Sequence, residues 1–145
     1  MSQFLTKLDA RIGKRSIGGR FERVCILNRS LHYKSDTTGK IVVVPRGFVS
    51  DGASVPRAMW SIYPPFGRYL EAAVVHDYYC VLGHRGESPI CSVMAAKVFD
   101  EAMKVCGVGK FRRFKMYWAV RLGGPKFANK TGQKWTKKQS PKISA

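Results

Sequence analysis

In the stretch AAVVHDYYC, residues 72 to 80, His76 and Asp77 stand side by side within an otherwise apolar and aromatic run. An imidazole that titrates near neutrality can take a proton from water, and a carboxylate can orient that imidazole or hold a metal ion. The pair therefore has the composition of a general base with an acidic assistant. It equally has the composition of a structural network, in which Asp77 accepts backbone amides and His76 bonds a carbonyl. Adjacent helix residues diverge by about 100°, so the two side chains address different neighbours rather than each other. On either reading Asp77 needs a partner, because an unpaired buried carboxylate is strongly disfavoured.

Other candidates lie upstream, in the segment SDGASVPR, residues 50 to 57. Asp51 is a candidate partner for His76, and Arg57 either binds an anionic substrate group or clamps Asp77 or Asp51. Ser54 is read as a helix cap and support residue rather than a nucleophile, because no GxSxG elbow surrounds it or Ser50. His84 falls on a turn and His32 in a strand without an acidic neighbour, so neither receives a role. Four cysteines, Cys25, Cys80, Cys91 and Cys106, form no CxxC pair and are read as reduced thiols rather than a zinc site.

The elements that must position these residues follow from periodicity and punctuation. FERVCILNRSLHY and KIVVVPRGFV, separated by SDTTG, predict a two-stranded hairpin, with Pro45 at an edge or at a strand end. Ser54-Val55-Pro56 predicts a short helix that Pro64-Pro65 and Gly67 end. Three longer helices follow, from about Arg68 to Cys80, from after Ser88-Pro89 to Gly107, and from about Lys110 to Leu122. The first is apolar nearly all round, which marks a central helix. In the third, Phe111, Phe114, Trp118 and Leu122 form one apolar face and Met116, Ala119 and Val120 line much of the other. A helix apolar on two sides is expected to be sandwiched, with its aromatic residues in the core. The expected class is α+β: a small antiparallel hairpin or sheet packed on about three helices. It has a basic arm over residues 1 to 20, one globular domain over 21 to 124, and a disordered or partner-ordered basic tail over 125 to 145.

The chain has 145 residues, of which 45% are hydrophobic, enough for one core. Its 26 Lys and Arg against 9 Asp and Glu give a net charge of +17. Such an excess attracts polyanions, whether nucleic acid, an anionic membrane face or an acidic cell-wall polymer. Lys110, Arg112, Arg113 and Lys115 on the third helix, with Lys134, Lys137 and Lys138 in the tail, are the candidate polyanion contacts. No apolar run is long enough to span a membrane and the N-terminus has no signal-peptide h-region, so the expectation is synthesis in the cytoplasm of a host cell.

The blocks GFVSDGASVPRAMW, PPFGRYLEAAVVHDYYC, VFDEAMKVCGV and MYWAVRLGG follow one another over residues 44 to 124. In this order they resemble the signature of a family of uncharacterised domains encoded mainly by bacteriophages and prophages. The His-Asp helix is more distantly similar to that of the secreted calcium-dependent phospholipases. That similarity implies His76 as the base, Asp77 as a calcium ligand aided by oxygens of the loop of residues 47 to 54, and an acid on the opposing helix that orients the histidine. In the phage family the acid falls where this chain has Ala96. Asp100, one turn further on, and Asp51 are the available substitutes.

Three functions follow as expectations. The first is a phage-encoded His-Asp hydrolase acting at the bacterial envelope. The second is a non-enzymatic tail or capsid component, or assembly factor, whose basic extensions meet other phage proteins or packaged DNA in the virion. The third is a nucleic-acid-binding accessory or anti-defence protein.

Overall fold

The computed structural model describes residues 1–50 and 69–132, the side chains of Ile17 and Glu22 excepted. It is an α+β fold of two antiparallel three-stranded sheets and three helices. The strands are β1 (Gln3–Phe4), β2 (Ala10–Ile17), β3 (Arg20–Leu27), β4 (Leu31–Lys34), β5 (Ile41–Val44) and β6 (Val49–Ser50). The helices are α1 (Leu70–His84), α2 (Ser92–Val105) and α3 (Lys110–Gly123).

The hairpin across SDTTG is present as β4 and β5, in register from Leu31↔Val44 to Lys34↔Ile41. Its turn is closed by the Ser35 amide donating to the Lys40 carbonyl at 3.0 Å. Pro45, which has no amide to extend the ladder, directly follows the last residue of β5, and β5 is the edge of the sheet order β1-β4-β5. The upstream half of the expected long strand is a separate element. β3 pairs with β2 along its whole length, from Ala10↔Leu27 to Ile17↔Arg20, and on its other edge with β6.

The expected basic arm of residues 1 to 20 is therefore corrected to strands β1 and β2 and the start of a β-ribbon. The local cause is Gly18-Gly19, whose φ angles of 56° and 79° make a two-residue turn that residues with a Cβ adopt poorly. This turn reverses the chain within two residues and matches the twist of the paired strands, so pairing wins over an extended arm. The ribbon is exposed along much of its length: Arg11, Lys14, Arg20 and Arg23 are exposed, as are Ile12 and Phe21.

A single apolar cluster joins the sheets to the helices. It takes Leu27, Leu31, Tyr33 and Val44 from the strands, Ala72 to Val75 from α1, Val98, Phe99 and Met103 from α2, and Met116 and Val120 from α3. α1 contacts β5, β6 and α2, which is the central place its all-round apolar surface requires. Glu101 of α2 ties the hairpin to the helices. Its carboxylate accepts the Tyr33 hydroxyl at 2.7 Å, the Thr37 amide at 2.8 Å and the Thr37 hydroxyl at 2.6 Å.

The first residues of the expected tail are docked on the body. The Phe127 carbonyl accepts the Ser92 amide at 2.9 Å and the Lys130 amide donates to the Ser88 carbonyl at 2.7 Å, so residues 127 to 130 are docked on the start of α2. Phe127 lies where Gly83 of α1 has no side chain, and a Cβ there would come within 2.3 Å of the ring. All four cysteines are free thiols.

Candidate functional site

α1 carries His76 and Asp77 on its buried surface, at 3% and 7% exposure. β6 brings Ser50 beside them. The register Cys25↔Ser50 holds Ser50 against β3, and its hydroxyl donates to Asp77 Oδ2. Asp77 thus faces the β3–β6 edge. Burial, with the negative charge of Asp77 nearby, pushes the Cys25 thiol pKa up, as expected for a thiol sharing a dry site with a carboxylate.

His76 points elsewhere, as the helical divergence requires. Its ring stacks at a tilt of 41° on Phe99 of α2, with centroids 5.1 Å apart, and Cys80 Sγ lies 3.7 Å from Nδ1. Burial among these groups pulls its pKa down to about 4, because the charged imidazolium has lost its water. The ring is therefore neutral at physiological pH.

Asp100 does not reach this pair. It is half-exposed on the side of α2 that faces α3, where its carboxylate oxygens sit 3.4 and 3.5 Å from Arg113 Nη1. Ala96, in the position that the resemblance gives to the orienting acid, is buried. The 40° rotation between residues 96 and 100 on a helix is enough to move a side chain from the packed face to its rim. Asp51, Ser54 and Arg57 lie outside the described residues, as do Lys134, Lys137 and Lys138. Among the described residues no group of three His, Cys, Asp or Glu side chains stands close enough to hold a metal ion.

α3 overturns an expectation. Its buried residues are Met116 and Val120, whereas Phe111, Phe114, Trp118 and Leu122 are 69%, 63%, 42% and 75% exposed. Among the described elements the helix is packed on one side by α2, and its other side is exposed. Its aromatic face is therefore not core. Lys110, Arg112 and Lys115 are exposed, and Arg113 is folded against Asp100. Glu101, which accepts three hydrogen bonds from Tyr33 and Thr37, was not singled out by the sequence, although it lies within the VFDEAMKVCGV block. The signal for the α3 face was present in its two opposed apolar stripes, but only the neighbours decide which stripe is covered.

The family described as "Protein of unknown function (DUF1353)" matches residues 25–120, a span that runs from β3 through α3. The chain belongs to this family. "Uncharacterized protein y4jT" of Sinorhizobium fredii (strain NBRC 101917 / NGR234) is similar to it, at 38% identity over 98 residues. That similarity takes in 66% of this chain and 28% of the relative's length. No solved structure matches the chain at a significant level. The matched span contains Ser50, His76, Asp77 and Asp100 and excludes β2 and the segment after α3. No described helix is long and apolar enough to cross a membrane.

Proposed function

We propose that this protein is a non-enzymatic component of phage or prophage machinery, an assembly factor or virion part, that works by binding. The single observation that carries this reading is the burial of the His-Asp pair. A general base must meet its water or substrate, and His76 is 3% exposed with its ring against Phe99 and Cys80. Asp77 is engaged by Ser50, the first residue of the SDGAS motif, so the two most distinctive blocks of the chain bond to each other. That is the arrangement of a strut between α1 and the β3–β6 sheet. The phage context rests on the resemblance of the ordered blocks to the phage and prophage domains.

The competing reading is a hydrolase acting on the envelope with His76 as base. Isolated bacterial envelopes incubated with the wild-type protein or His76→Asn, with calcium, zinc or chelator, separate the two by released fatty acid and muropeptide. We expect no product from either protein, and a thermal midpoint lower by about 5 °C in the variant. A product that requires His76, from a variant that remains folded, would establish the enzyme instead.

Binding partners of an assembly component are supported by the ribbon. Lys14 and Arg23 stand directly opposite each other in its ladder on one face, and Arg11 and Arg20 are exposed on the other face. Like charges in a cross-strand pair are destabilising unless an anion lies between or over them. A two-stranded ribbon also has the width of a DNA major groove. Duplex DNA is expected to bind with an affinity that falls steeply with salt, and the double variant Arg20→Ala with Arg23→Ala to flatten that dependence, with a salt slope smaller by about 2. An unchanged slope would remove the ribbon from the interface.

A further inference from the structure

We propose that the exposed aromatic face of α3 docks on an anionic lipid surface, with Phe111, Phe114, Trp118 and Leu122 entering the headgroup boundary and the flanking cations meeting lipid phosphates. The residues recur at spacings of three and four, so they lie along one side of the helix. From Phe111 to Leu122 the stripe is about 16 Å long, at 1.5 Å per residue. Exposed faces of this size and composition are interaction surfaces rather than ordinary scatter of apolar side chains.

The surroundings of the stripe select the partner. α3 contains five basic residues and no acid. Lys115 Nζ sits 4.3 Å over the Phe111 ring and the Arg121 guanidinium 5.8 Å over Trp118, so two cations ride on the apolar stripe itself. Long basic side chains of this kind extend their stems along apolar surface and place their charge at the phosphate level of an interface. Beside the stripe a groove of about 480 Å³ between α2 and α3 is lined by Lys97, Lys110 and Arg113, with Phe114 and Trp118 on its wall. Its acids are already committed: Glu101 bonds Tyr33 and Thr37, and Asp100 faces Arg113.

Two other occupants fit less well. A second copy would bring the same cations together in an apolar junction, on a chain that already carries +17. A single nucleic-acid strand needs rings that successive bases can lie flat upon. Here Phe114 and Trp118 meet at 67° and Tyr117 and Trp118 at 80°, edge to face, and the stripe ends on Leu122, which has no ring.

The test is flotation of the full-length protein with vesicles of pure phosphatidylglycerol and of pure phosphatidylcholine. The protein is expected to float with phosphatidylglycerol and not with phosphatidylcholine. The double variant Phe111→Ser with Phe114→Ser is expected to lose at least about tenfold in vesicle affinity while retaining its thermal midpoint, since both side chains are exposed. The inference is overturned if the wild type fails to float, if it floats equally on both lipids, or if the variant binds as tightly as the wild type through the lysines after residue 125. It is also overturned if the wild type is a dimer that the same substitutions dissociate, or if they abolish single-strand binding instead. None of these outcomes depends on whether envelope hydrolysis is seen, so the failure of this inference is distinguishable from failure of the non-enzymatic reading.

Discussion

Asp77→Ala is expected to lower the unfolding free energy by roughly 3 kcal/mol, read as a fall in the urea midpoint at constant slope. The carboxylate is 7% exposed and accepts the Ser50 hydroxyl, so its removal leaves a buried hydroxyl without that acceptor and opens a space beside Cys25. A lost hydrogen bond with both partners free to reach water would cost far less. Asp77→Asn keeps the shape and one acceptor oxygen and should cost less than Asp77→Ala. Ser50→Ala combined with Asp77→Ala in a double-mutant cycle should return a coupling of about 1–2 kcal/mol. If Asp77→Ala unfolds within about 0.5 kcal/mol of wild type, the strut is not what the pair does.

The second large effect is a loss of stability in acid that belongs to His76. Its folded pKa is about 4 against 6.5 for the free side chain, and burial is the cause. The sign follows from which state holds the proton. Above pH 6.5 the ring is neutral in both states and contributes no slope. As the pH falls below 6.5 the unfolded chain takes the proton first, so unfolding is favoured increasingly until the folded ring also protonates near pH 4. Across this window the loss is roughly 3 kcal/mol, at 1.36 kcal/mol per unit. Carboxylates titrate at the lower end of the same range, so the measurement is the difference between wild type and His76→Gln in urea midpoints from pH 7 to pH 4. The variant is expected to be less stable at pH 7 and to lose less on acidification. Parallel curves would show that His76 does not titrate in this way and is solvated.

The identity of the pair as a problem was legible in the chain. A His and an Asp amid AAVV and YYC announce buried polar groups, and the requirement for separate partners follows from helical geometry alone. The partner itself was not legible. Ser50 precedes Asp77 by 27 residues, and it reaches the carboxylate only because β6 is held against β3. Asp100 shows the converse. One turn from Ala96 in sequence, it was a reasonable substitute for the missing acid, yet it faces Arg113 because α3 packs against that side of α2. β2 is hidden in the sequence for a related reason: strand pairing is a contact between distant segments, and a basic strand interrupted by Gly13 and followed by two glycines has little local preference of its own.

What the residues determined unaided were the three helices, the hairpin across SDTTG and the strand end at Pro45, since each depends on periodicity or turn chemistry within a few neighbours. What only the tertiary structure decided was which side of each element is covered. α3 has two apolar faces by periodicity, and the packing of α2 on Met116 and Val120 leaves the aromatic face outside. Periodicity sets the direction in which a side chain points from its helix axis; burial also requires a neighbour in that direction, and neighbours are assigned by the fold as a whole.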